Sequence, residues 1–143
     1  MNTEKKNEDT NATGFFALYA DENDTVEEMV PTTRHFLWLD SEGGQSIAAS
    51  RTSSIASQGV HITMLGIAEP NTTYPFKRGV VVADYIPKIW AGRSWDSVDG
   101  SGQVNIDEVD YDKGTLKGKF DFTARSVDGT QTARIRGSFN LQK

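Results

Sequence analysis

Residues 97–108 have the spacing of a calcium-binding EF-hand loop. Asp99 and Ser101 fall at its third and fifth positions, Gly102 at the sixth, Val104 at the eighth and Glu108 at the twelfth. Such a loop surrounds a hard cation with oxygens and closes on a bidentate glutamate. Two features argue against one here. Ser97 stands where the first charged ligand is needed, with Asp96 one residue out of register. The chain after Glu108, Val109-Asp110-Tyr111-Asp112-Lys113-Gly114, leads into a β pattern rather than the required helix. A glycine-rich turn entering a strand is the better reading, and no tight calcium site is expected.

Other chemical groupings are weaker. Two histidines, His35 and His61, lie in or beside apparent strands, and without cysteine a zinc site would need both plus carboxylates. The serines at 50, 53, 54 and 57 have neither a Gly-x-Ser-x-Gly elbow nor a Ser-x-x-Lys pair, and no glycine-rich phosphate loop precedes a helix. The expectation is therefore a protein that is not an enzyme, with no catalytic residue, metal ligand or cofactor. Only a hydrolase built from scattered carboxylates would escape this reading. Tyr85, Trp90, Arg93 and Trp95, within eleven residues, form the best binding candidate. In a segment rich in Pro, Gly and charge, two rings and a cation could converge at a loop end and orient a polar ligand or a partner chain. Trp95 is expected to be the exposed ring, because Arg93, Ser94, Asp96 and Ser97 surround it. The competing reading is that these aromatics close the end of the core.

The elements that must position such residues are strands. Leu116, Gly118, Phe120, Phe122 and Ala124 alternate with Thr115, Lys117, Lys119, Asp121 and Thr123. Ala133, Ile135, Gly137, Phe139 and Leu141 alternate likewise with Thr132, Arg134, Arg136, Ser138 and Asn140. Period two means one face in a core and one in water, so these segments make a β-hairpin. Pairing Phe122 with Ile135 sets Phe120 over Gly137, Phe139 over Gly118 and Asp121 beside Arg136, which predicts a favourable cross-strand ion pair.

Upstream, residues 1–13 are polar and read as a disordered tail, followed by one domain over 14–143. Strands are expected at Gly14–Ala20, Arg34–Leu39, Val60–Met64, Val80–Ala83, Lys88–Gly92 and Gly102–Asp107, the last joining the hairpin in a three-stranded meander. Ile47, Arg51 and Ile55 fall at helical spacing, so a short helix is expected within Gln45–Gln58. Phe15, Phe16, Phe36, Phe120, Phe122 and Phe139 are expected in the core. The fold class is all-β: an antiparallel sandwich or flattened barrel of about 7–9 strands with at most one short helix.

Composition narrows the function classes. At 143 residues one core suffices, and the absence of cysteine excludes a disulfide scaffold. A net charge of −5 argues against general nucleic-acid binding, which needs a basic surface. No apolar run reaches the roughly 20 residues of a membrane span, and no signal-peptide core is present. As written, the chain is expected to be soluble and cytoplasmic, or in the cell envelope or secreted if its N-terminus is processed or engineered.

The segment from about Val60 to Leu141 resembles a class of small β-rich domains, many of them bacterial lipoproteins or secreted proteins, mostly of unknown function. The resemblance rests on Val60-His61-Ile62-Thr63-Met64, the loop Asn71-Thr72-Thr73-Tyr74-Pro75-Phe76, Gly102-Gln103-Val104-Asn105-Ile106, residues 116–124 and residues 135–141. It implies an antiparallel sandwich or barrel and transfers no catalytic residue. The chain departs from that class in lacking an export signal and a lipid-attachment cysteine. The function expected is a non-enzymatic module binding a partner protein or a polar ligand, a glycan among them, through loops at one end. The alternative is a toxin-like or structural surface protein that self-assembles through exposed strand edges.

Overall fold

A computed structural model describes residues 11–54 and 56–143. The first ten residues of the expected tail lie outside that range, whereas Asn11 already bridges Phe36 and Thr13 opens the first strand. Eleven strands follow in chain order: β1 (Thr13–Glu22), β2 (Glu27–Val30), β3 (Arg34–Asp40), β4 (Gly44–Ser50), β5 (Gly59–Met64), β6 (Thr72–Pro75), β7 (Val81–Ile86), β8 (Trp95–Ser97), β9 (Gln103–Asp110), β10 (Thr115–Arg125) and β11 (Thr132–Gln142). Every paired strand is antiparallel, and no helix occurs among the described residues.

The strands form one sheet in the order β2-β1-β11-β10-β8-β7-β5-β4-β3, with β9 pairing both β10 and β6. The sheet curls until its far ends touch at the Asn11–Phe36 bridge, where the Ala12 N–H donates to the His35 carbonyl at 3.1 Å. One row of paired residues shows how it curls. From Asn11 the row passes through Phe36, Ala48, His61, Asp84, Asp96, Arg125 and Thr132. It returns to the first strand's chain at Asn23, whose N–H donates to Thr132. The row therefore climbs from 11 to 23, a stagger of 12 residues in one circuit, as tilted strands in a barrel-like sheet require. β10 sits at a fork: Ala124 and Arg125 pair with β8, whereas residues 115–121 pair with β9 across an irregularity at Lys117/Gly118.

The inner face forms one continuous hydrophobic cluster, with Leu18, Leu37, Ile62, Phe76, Val104, Phe122, Ile135 and Leu141 fully buried. The hairpin register is the expected one: Phe122 opposes Ile135, Phe120 opposes Gly137 and Gly118 opposes Phe139. Each ring covers a glycine. A methyl group added at Gly137 would lie 2.6 Å from Phe120 Cζ and against the Ala17 carbonyl. Asp121 does oppose Arg136, but its ion pair is diagonal, to Arg134 at 3.2 Å. Arg136 turns instead to β2, gripping both oxygens of Glu27 at 2.7 and 2.8 Å while its guanidinium lies 4.3 Å over the Tyr19 ring. A bidentate pair over an aromatic face outweighs one cross-strand contact.

Four further expectations need correction, three of them because side chains alternate along a strand. Residues 44–50 are β4 rather than a helix, because Gln45, Ile47 and Ala49 point inward while Ser46, Ala48 and Ser50 point outward; Ile55 lies outside the described residues. Lys88–Gly92 is an irregular connection rather than a strand. Phe15 is 58% exposed, since β1 turns Phe16, Leu18 and Ala20 inward and must turn Phe15 out. Phe36 is half-buried on the outer face because its neighbour Leu37 occupies the core.

Urea denaturation should separate the two hairpin faces. Phe120→Ala is expected to cost about 3 to 5 kcal/mol, and Gly137→Ala about 1 to 3 kcal/mol by displacing the same ring. Lys119→Ala should stay within about 0.5 kcal/mol. Comparable losses for Lys119 and Phe120 would mean the inner and outer faces are misassigned.

Candidate functional site

The same pleat that fills the core gives β3, β4, β5 and β7 an outer face. Phe36, Ala48, His61 and Asp84 lie side by side along the row described above, and Arg34, Ser50, Gly59 and Ile86 form the next row. The β4–β5 connection rises on one side and the β7–β8 connection on the other. Between them lies a concavity of about 690 Å³, walled by Ser53, Ser54 and Ser57 on the first side and by Trp90 and Ser94 on the second. The His61 ring meets Phe36 edge to face, 6.1 Å between centroids.

Both walls are tied to the core. Ser57 Oγ accepts the Thr52 N–H at 2.8 Å, and the Arg51 N–H donates to the Gln58 carbonyl at 3.0 Å. Gly59 permits the tight entry into β5, because a Cβ there would lie 2.9 Å from Ser50 Cα and strike the Ala49 carbonyl. Beneath the walls, buried Gln58 donates to the Tyr85 hydroxyl at 2.8 Å, and that hydroxyl donates to Glu22 at 2.6 Å. The same Glu22 oxygen accepts the Lys88 N–H at 2.9 Å. One carboxylate at the end of β1 thus anchors both connections from across the core. Burial, and then Glu22 as acceptor, push the Tyr85 hydroxyl far above the usual tyrosine range, so it stays a donor.

The floor carries the site's main electrostatic feature. Asp84 and Asp96 oppose each other on β7 and β8, with their carboxyls near enough to interact. Neighbouring carboxyls disfavour each other's ionisation. Desolvation within the concavity, then the adjacent Asp96, push the Asp84 pKa up, against a smaller downward pull from His61. His35, at the β3 end, has its Nε2 3.2 Å from Thr32 Oγ1 and its ring 6.1 Å from Phe16; burial holds its pKa below the usual imidazole range.

The four aromatic and basic residues singled out from the sequence do not converge. Tyr85 is fully buried, with its ring 5.8 Å from Trp95 at 70°. Trp95, expected to be exposed, is only 6% exposed. Its polar sequence neighbours are no guide, because pairing with Tyr85 at the head of β8 turns the indole inward. Trp90, at 40% exposure, lines the concavity. Arg93 and part of Trp95 border a separate depression of about 450 Å³ against the β10–β11 turn. Sequence reasoning missed Arg34, Asp84 and Asp96 and weighed His61 only as a zinc ligand, because no local spacing joins the four.

The residues of the EF-hand-like stretch are spread over β8, a turn and β9. Asp99 there accepts the Arg78 N–H at 3.0 Å, and Glu108 lies 3.8 Å from Lys117. Among the described residues, no three His, Asp or Glu side chains gather in a way that could hold a metal ion. No protein-family model, curated protein or solved structure matches the chain.

Because the folded Asp84 holds its proton more tightly than the unfolded chain, the stability it contributes is complete below its ordinary value of 3.8 and lost as pH rises through the raised value. Asp84→Asn is therefore expected to melt above the wild type at pH 7 and level with it at pH 3. The gain should be under about 1 kcal/mol, since solvent screens the pair. A lower melting temperature for the variant at neutral pH would contradict the upward shift at Asp84.

Proposed function

We propose that this protein is a non-enzymatic binding module, and that its binding surface is the concavity on the β3–β4–β5–β7 face rather than the loop end alone. The observation that carries this reading is a walled trough with a floor of mixed apolar and polar groups and an aromatic side wall. Binding sites are characteristically concave and largely apolar with a few convergent polar groups, which is what Phe36, Ala48, Ile86, Trp90, His61 and Asp84 supply. Among the described residues, neither Arg34 nor His61 spends its side chain on a hydrogen bond within the protein. The strapping of both walls through Glu22 supports a preformed surface, which lowers the entropy lost on binding.

Hydrolysis of a glycoside is poorly served by this geometry. The two carboxyls of a glycosidase stand about 5 to 9.5 Å apart to admit the sugar carbon or a water, whereas Asp84 and Asp96 are directly opposed neighbours on adjacent strands. That supports holding a ligand rather than cleaving it. Kinship with the small β-rich bacterial domains, over residues 60–141, is part of the same proposal and rests on the strand motifs alone.

A fragment set spanning sugars, amines, carboxylates and short peptides, titrated against the isotopically labelled chain, should move amide resonances clustered at Arg34–Phe36, His61, Asp84 and Trp90. Trp90→Ala should weaken the binding that causes those shifts, with a stability change within about 0.5 kcal/mol, whereas Trp95→Ala should cost about 3 to 5 kcal/mol. Shifts confined to the β10–β11 hairpin would contradict this reading.

A further inference from the structure

We infer that the ligand class of the concavity is a short uncharged saccharide lying across strands β3 to β7, with Trp90 as the platform for one of its rings. This rests on the reading of the concavity as the binding surface, and it adds the chemistry of the occupant. Three strand spacings of about 4.8 Å make the floor about 14 Å from β3 to β7, a length that suits a small oligosaccharide better than a single small ion.

A sugar ring presents an apolar C–H face and a rim of hydroxyls, each both donor and acceptor. The trough offers the complement to each part. The half-exposed Trp90 indole provides a flat apolar wall, and Phe36, Ala48 and Ile86 the apolar part of the floor. Arg34 at the β3 end brings a fork of donors. His61 lies in the middle of the floor and the Asp84–Asp96 pair on the β7 side. Ser53 and Ser94 line the trough from the two connections, and among the described residues neither hydroxyl has a protein partner.

The charges select an uncharged occupant. Arg34 and Asp84 stand toward opposite ends of the floor and oppose each other in sign. The Asp84–Asp96 pair supplies acceptor oxygens and Arg34 supplies donors, the two roles that a sugar hydroxyl can meet. An anionic ligand would meet the pair with like charge. An organic ammonium would satisfy the pair but leave Arg34 and both serine hydroxyls unused.

The test uses maltotetraose, cellotetraose and tetra-N-acetylchitotetraose as saccharide probes, and butylammonium and a neutral tetrapeptide as comparisons. Each is titrated to millimolar concentration into the full chain while amide shifts and tryptophan fluorescence are followed. At least one saccharide is expected to shift Arg34, His61 and Asp84 together and to change the indole emission. Trp90→Ala should weaken that binding about fivefold to tenfold, the loss of one ring-stacking contact, and Trp90→Phe should recover part of it. His61→Ala should weaken it with an unchanged melting temperature. If butylammonium or the tetrapeptide shifts these amides and no saccharide does, the saccharide assignment is overturned while the binding surface stands. If no probe of any class shifts them, both are overturned. Saccharide binding indifferent to Trp90→Ala would also overturn the assignment.

Discussion

The constraint on which everything else depends is the pleat of a curled sheet: each strand must hand its side chains alternately to a dry interior and to an exterior surface. Because the sheet curls through a stagger of 12 residues before its ends touch, strands from opposite parts of the chain share one interior. Once Leu18, Ile62, Val81 and Ile135 are committed inward, the position of every neighbour is decided. His61 and Asp84 are outside because Ile62 and Ala83 are inside. Trp95 is inside because it opposes Tyr85. What remains on the exterior there is the row of Phe36, Ala48, His61 and Asp84, bounded by the β4–β5 and β7–β8 connections.

A second consequence concerns the interior polar groups. Tyr85 reaches across the core from β7 to Glu22 on β1, and Gln58 completes the chain of donors and acceptors. Buried polar atoms cost about 1 to 3 kcal/mol each when left unpaired, so this network holds its members in one geometry. The two connections it holds are those that bound the concavity. Stability and site shape are thus coupled through one carboxylate. Gln45 lacks such completeness: its Nε2 donates to the Gly66 carbonyl at 3.0 Å, but its buried Oε1 has no partner among the described residues.

How far the site could be read from the chain differs residue by residue. Trp90 was legible as an aromatic in a Pro- and Gly-rich connection, and that reasoning needs only composition. The same reasoning misjudged Trp95, because polar neighbours along a strand point to the opposite face and say nothing of the residue between them. Asp84 and Asp96 carried no signal at all. They are twelve positions apart, and their proximity arises only because β7 and β8 pair in one particular register.

The sequence by itself determined what depends on local alternation: the antiparallel β class, the C-terminal meander, and the hairpin register in which Phe120 and Phe139 cover Gly137 and Gly118. Period two and a glycine opposite a ring are short-range properties, legible within thirty residues. Tertiary structure decided which strands became neighbours beyond the hairpins. It joined Asn11 to Phe36, forked β10 between β8 and β9, and brought Arg34, His61, Asp84 and Trp90 around one trough. Those pairings follow from the closure of the whole sheet. Its tilt and stagger are a collective property of all the strands, and no single segment encodes them.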